Sequence, residues 1–590
     1  MGGLGQWSAS WSLPLGPNAD ALPNYIAIYN KSDTTLTDAV AGFISSRSLI
    51  SVAAPQSALI DSTADPEDAA YVPPALRGVL DAVAGAQTVI IERGYFDLDC
   101  RSEEAVAIMR QHRFTLVSHD RLHFFSKPVN KRVFYQAITD LDLQVKFQEA
   151  YLGYVVLRNT DPSTVVGRTM LAAPSTDARL VDPEGMASRV RTRVREHITL
   201  AGMAFHIDAV PFIQQDGGLT RCAHAATWMV HYSAVLRGYI GRRHVADMHP
   251  AISNGRSSSR PLPSPGLTTD QLMDALWSVG FTPDVRLINK LSVPDPTSWR
   301  HRPELTGAVA DTWHLEAFTT SICRYLNSGL PVLLAVGDHV KLICGYLRNR
   351  ELVPGKTTRL SGDASRVETF IVNDDSWGPY RIEHVSGLMG NREEQDMLIF
   401  PTPPALILSG HEAEVLGAAF IQKLLSELLS GKAINDDQRK SLDLLQTGLG
   451  KRQLGLRTYA AEGNLFKRSF AIRSAEDVVA SRLVSACRLP RYVWICEIIS
   501  RQLRDQGPTG DGRSVVGQVV IDASAIHPSK AEILVSHLPG WLGLRDQLHK
   551  IDADYPCEAL VCESGRWGHR IDYLDDADVG IITKTAGAVT

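Results

Sequence analysis

QQDGGLTRCAHAATWMVHYSAVLRGY, residues 214 to 239, decides how this chain reads. A strand-like run, TLAGMAFHIDAVPFIQQD (199 to 216), leads into it, and then the period changes. Ala225, Ala226, Met229, Ser233 and Leu236 recur at three- and four-residue spacings, which predicts a helix with Cys222 in its first turn. Cysteine attacks as the thiolate, and the unpaired N–H groups and positive dipole end of a helix start stabilise that charge.

Working outward, a Ser, Pro and Gly-rich loop (253 to 266) precedes a helix, TTDQLMDALWSVGF, that Thr268 or Thr269 can cap and Gly280 can end. A helix around LEAFTTSICRYLNSG (315 to 329) follows, then the strands PVLLAV (331 to 336), HVKLICGYL (339 to 347) and ETFIVND (368 to 374). His339 opens its strand directly after the Gly337-Asp338 turn, where its ring can reach the helix start and exchange a proton with a thiol. Asp374 closes the next strand and can hold that ring through its second nitrogen. Strand parity separates Asp374 from Asn373 and, if the strand persists, from Asp375. Gln215, seven positions before Cys222, can offer its amide to an oxyanion beside the Cys222 N–H.

With QQDGGLTRCAHAATW, YLNSGLPVLLAVGDHVKLICGY and FIVNDDSWGPY in view, the chain resembles the papain-like cysteine peptidases over about residues 200 to 400. Within them it is similar to the bacterial leader-peptide-cleaving domains of bacteriocin exporters. The resemblance implies a helix bearing Cys222 packed on an antiparallel sheet bearing His339 and Asp374, with Gln215 at the oxyanion, no cofactor and no metal. Three features depart from the family pattern. The Gln spacing is one residue long, which keeps Gln214 as a rival. The interval from His339 to Asp374 implies an inserted hairpin or loop over 348 to 366. Arg221 and Ala223 stand where small or glycine neighbours are usual.

At 590 residues the chain exceeds one core, and 44% hydrophobic with 21% charged residues is a globular composition. The fold class expected is α+β. Residues 1–175 read as a mixed α and β domain, with TVIIERGYF (88 to 96) and YLGYVVLRN (151 to 159) as strands and EEAVAIMRQH (103 to 112) as a helix. Residues 176–405 hold the papain-like unit. Residues 406–590 read as a helix, with a Ser409/Glu412 capping box and a stripe of Leu416, Phe420, Leu424 and Leu428, followed by a β-rich domain with strands at 491 to 500, 514 to 524, 531 to 538 and 558 to 564.

A net charge of −5 offers no electrostatic case for nucleic acid, and no apolar stretch is long enough to span a bilayer. The opening residues lack a signal-peptide pattern, and Gln6 argues against myristoylation. Eight thinly spread cysteines, with no matching cluster beside Cys557 and Cys562, point to a reduced, cytoplasmic setting, and the resemblance implies a bacterial one. The expected substrate is a peptide or protein, with further protein partners assigned to the flanking domains. Transglutaminase-like or amidase acyl transfer uses the same residues, and an inactive papain-like binding module is the remaining alternative. Elsewhere, His224 and His231 read as packing groups, Arg121 and His123 as strand packing, HEAEV (411 to 415) as lacking a zinc motif, and Arg189, Arg191, Arg193 and Arg195 as one solvated strand face.

Overall fold

The structure, a computed structural model, describes residues 7–9, 26–31, 40, 72–103, 119–158, 162–174, 190–217, 220–245, 248, 266–291, 308–348, 367–390, 393, 395–431, 436–450, 454–473, 478–500, 515–538, 541–545 and 547–550. It is an α+β protein built on three six-stranded antiparallel sheets and one two-stranded ribbon. The first sheet is a meander in chain order: β1 (Trp7–Ala9), β2 (Ile26–Lys31), β3 (Thr88–Tyr95), β4 (His119–Phe125), β5 (Tyr151–Leu157) and β6 (Val166–Leu171). Helix α1 (Pro74–Ala82) precedes β3. The ribbon, β7 (Val194–Leu200) and β8 (Met203–Ala209), breaks the single run expected over 199 to 216 at Ala201-Gly202, both with positive φ.

The central sheet has the order β13-β12-β11-β10-β14-β9. Its strands are β9 (Thr282–Leu287), β10 (Val332–Val336), β11 (His339–Arg348), β12 (Val367–Asp374), β13 (Gly378–His384) and β14 (Met397–Thr402). Side-chain alternation gives it two buried faces. Leu333, Leu342, Ile371 and Ile399 pack forward with helix α2 (Cys222–Leu236) and the first sheet. Leu334, Ile343, Phe370, Val372 and Leu398 pack backward with helix α3 (Ala308–Asn327), helix α4 (Gly410–Ser430) and the third sheet, which contributes Trp494 and Ile521. That third sheet spans β15 (Leu454–Glu462) to β20 (Gln547–Lys550), again a meander. The three sheets lie one within each of residues 1–175, 176–405 and 406–590, but the forward and rear cores cross both divisions.

Local chemistry fixes several boundaries. Thr268 caps its helix in a full capping box with Gln271, and Gly280 (φ 100°) follows its end. The Ser409/Glu412 box opens α4. The apolar stripe of α4 is displaced from the expected one. Leu416 and Phe420 are half-buried, while Ala413, Gly417, Ala418 and Ile421 share the buried face with Leu424 and Leu428. Small residues let α4 lie close on the third sheet, so that a Cβ on Gly417 would fall 2.6 Å from Cys496 Sγ.

The arginine run does not form one face. The strand starts at Val194, leaving Arg191 buried before it against the Tyr346 hydroxyl, while Arg195 is exposed and paired with Asp208. Arg189, all but the first residue of the helix expected over 103 to 112, all but the last residue of the loop at 253 to 266, all but the first residue of the insertion at 348 to 366, and the strand at 558 to 564 lie outside the described residues. Among the described residues no helix is long and apolar enough to cross a membrane.

Candidate active site

Cys222 is the first residue of α2, after an extended Arg221 (φ −127°), and is half-buried. His224, fully buried, turns its Nδ1 back to accept the Arg221 N–H at 3.3 Å, so it serves the helix start rather than the chemistry. Further along, Trp228 Nε1 donates to Asp99 at 3.3 Å, and His231 Nε2 accepts the Arg243 N–H. The Cys222 thiol lies 3.7 Å from the Asp338 carbonyl oxygen, in the turn that leads to His339. That turn has Gly337 at φ 59°, with its N–H donating to Asp396 Oδ1, and it joins β10 to β11 with Val336 opposite His339.

His339 receives contacts from both sides. Its Nε2 lies 3.0 Å from Asp374 Oδ1, and the nearby Cys222 thiol also favours its protonated form. Since Asp374 occupies Nε2, the nitrogen left for the thiol is Nδ1. Burial by itself disfavours the imidazolium. The Asp374 and Cys222 hydrogen bonds and the charges of Asp374 and Asp375 outweigh it and push the pKa of His339 up to about 10. A buried Asp374 would ordinarily protonate more easily. The hydrogen bond and charge of His339, the Lys341 ammonium and the Ser376 N–H instead hold its pKa below the usual carboxylate range.

Lys341 went unnoticed in the sequence. Leu342 pairs with Asn373, so Lys341 and Asp374, one residue further along each strand, come side by side with Nζ 3.2 Å from Oδ2. Glu383 on β13 anchors the ammonium through both oxygens, at 2.9 and 3.0 Å. Lys341 shares the strand parity of His339, which is the signal in the sequence that points to it.

Asn373 faces the forward core, donating to the Pro211 carbonyl and accepting the Tyr380 N–H. Asp375, expected to point away if β12 persisted, does not. The strand stops at Asp374, the chain turns, and Asp375 Oδ1 comes to 3.8 Å from His339 Nε2.

Gln214 is buried and committed to the fold: its amide accepts the Val166 N–H and donates to the Ser163 carbonyl. Gln215 is half-buried, and its backbone N–H is directed at the Asp375 carboxylate. The loop after it is closed by Asp216 and Thr220, which bond each other reciprocally, and Thr220 also reaches the buried Glu103.

The turn that carries Asp374 is held by distant parts of the chain. Ser376 N–H donates to Asp374 Oδ1 and Trp377 N–H to its carbonyl. A bulge follows, with Tyr380 at φ 56° and its hydroxyl bridging the Leu171 carbonyl and the Val210 N–H. Helix α1 lies directly on this turn. A Cβ on Gly78 would fall 2.1 Å from the Trp377 carbonyl oxygen, and one on Gly378 would fall 2.7 Å from the Gly78 Cα.

His339, Asp374 and Asp375 bring three ligand-type atoms within 4.8 Å of one another. The Lys341 ammonium, 3.2 Å from Asp374 Oδ2, supplies positive charge beside these carboxylates. No family model matches the chain, and neither a curated protein nor a solved structure matches it.

Proposed function

We propose that the chain is a cysteine peptidase with a papain-like central unit, cytoplasmic, cleaving a peptide or protein substrate through an acyl-enzyme on Cys222. The observation that carries this reading is one line of contacts: a thiol at a helix start, the imidazole of His339 beside it, and Asp374 3.0 Å behind the ring. Cys323, Cys344 and Cys496 are buried, and burial pushes the Cys344 and Cys496 thiols up, Cys496 to about 12.

In the mechanism, the Cys222 thiolate attacks the scissile carbonyl carbon and a C–S bond forms. The oxyanion is taken by the Cys222 N–H and the Gln215 amide. His339 gives its Nδ1 proton to the departing amine as the C–N bond breaks, then accepts a proton from the water that attacks the thioester, whose C–S bond breaks to release the acid and return Cys222 as the thiolate. Asp374 keeps the ring oriented throughout and stabilises its positive charge. The flanking sheets are assigned the role of holding protein partners.

Proteome-wide cleavage profiling of the wild type against Cys222→Ala tests the proposal. New peptide termini that appear with the wild type and vanish with the variant support it. Identical terminus sets refute it.

A further inference from the structure

The mechanism above leaves Asp375 without a role, although it lies 3.8 Å from His339 Nε2. Its side chain is 1% exposed, and neither oxygen has a hydrogen-bond partner at ordinary length, although the Gln215 N–H is directed at it. The charged groups facing it are His339, from β11, and Asp374, from β12. A buried carboxylate with so few donors ionises at a cost, and a nearby imidazolium is what offsets that cost.

We propose that Asp375 is a positioning residue: a second carboxylate that acts through His339 to hold the imidazolium beside Cys222. The inference rests on the peptidase reading and adds to it a second carboxylate on the same ring. Burial pushes the Asp375 pKa up to about 6, the imidazolium working against the shift and the Asp374 charge adding to it. Below that pH one carboxylate holds the ring, and above it two do. Because Asp375 also faces the Gln215 backbone, its ionisation reaches the oxyanion arm as well as the base.

The test is the rate of Cys222 alkylation by iodoacetamide between pH 4 and 11, in the full-length protein, for the wild type, Asp375→Asn and Asp375→Glu. The wild type is expected to show a step near pH 6 that Asp375→Asn lacks, and the loss of the His339 proton in Asp375→Asn is expected about 1 pH unit lower. Asp375→Glu, which keeps the charge, should retain a step, and it serves if the amide variant fails to fold. A superimposable profile for the wild type and a folded Asp375→Asn, or a wild-type profile with no step near pH 6, overturns the assignment while leaving Cys222 as nucleophile. A wild type in which Cys222 reacts no faster than the other cysteines overturns the peptidase reading, and this inference with it.

Discussion

The Nε2 of His339 lies 3.0 Å from Asp374 Oδ1, and this contact determines which ring nitrogen faces Cys222. With Nε2 engaged, the thiol can meet the ring only at Nδ1. An amide can hold the same tautomer by accepting from Nε2. Asp374→Asn is therefore expected to keep measurable turnover, and Asp374→Ala to lose at least about tenfold more in kcat/KM. Steady-state kinetics on the pair, with folding checked by circular dichroism, decides it, and equal losses would deny Asp374 its orienting role.

The raised pKa of His339 has a signed consequence. Its folded value of about 10 exceeds the unfolded value of 6.5, so its contribution to stability is complete below about pH 6.5 and is lost as pH rises through about 10. Asp374 works in the opposite direction, its lowered pKa adding stability that disappears as pH falls. The alkaline limb of kcat/KM should accordingly fall near pH 10, far above an ordinary histidine. A limb near pH 6.5 to 7 would show that the ring is not held as an imidazolium.

Lys341 neutralises the second oxygen of Asp374. Lys341→Met should raise the Asp374 pKa and lower kcat/KM by about tenfold, with the loss greatest at acid pH, where Asp374 protonates first. A uniform loss at all pH values would mark Lys341 as merely structural.

Contact between Gly78 and Gly378 makes the first unit part of the active site's support. Gly78→Ala should destabilise by about 1–3 kcal/mol and reduce turnover, because the turn bearing Asp374 must shift to admit the methyl group. Gly85→Ala, with open space around it, is the control and should be neutral or stabilise by about 0.4–1 kcal/mol. Denaturant midpoints of the two variants read this directly.

Much of the site's scaffold was legible because it is local. The change of period at Cys222, the Gly337-Asp338 turn and the end of β12 each follow from residues within a few positions of one another. The parity argument for Asp375 holds only while the strand lasts, and β12 ends one residue before it, at Asp374. Gln214 could be set aside only once Val166 and Ser163 were seen to take both ends of its amide, and no spacing rule anticipates a partner about 50 residues away. The Gly78 contact lies 300 positions from Gly378, with nothing in either segment to announce the other. The stripe on α4 was displaced because close packing on the third sheet selects small residues, which carry little hydrophobic signal.

Limited labelling with iodoacetamide at pH 6, followed by peptide mass mapping, reads whether Cys222 is the nucleophile. An ordinary thiol is well under about 1% ionised at that pH. Label is expected to concentrate on Cys222 and to fall sharply there in His339→Ala. Label spread evenly over the eight cysteines, or favouring Cys557 or Cys562, would contradict it.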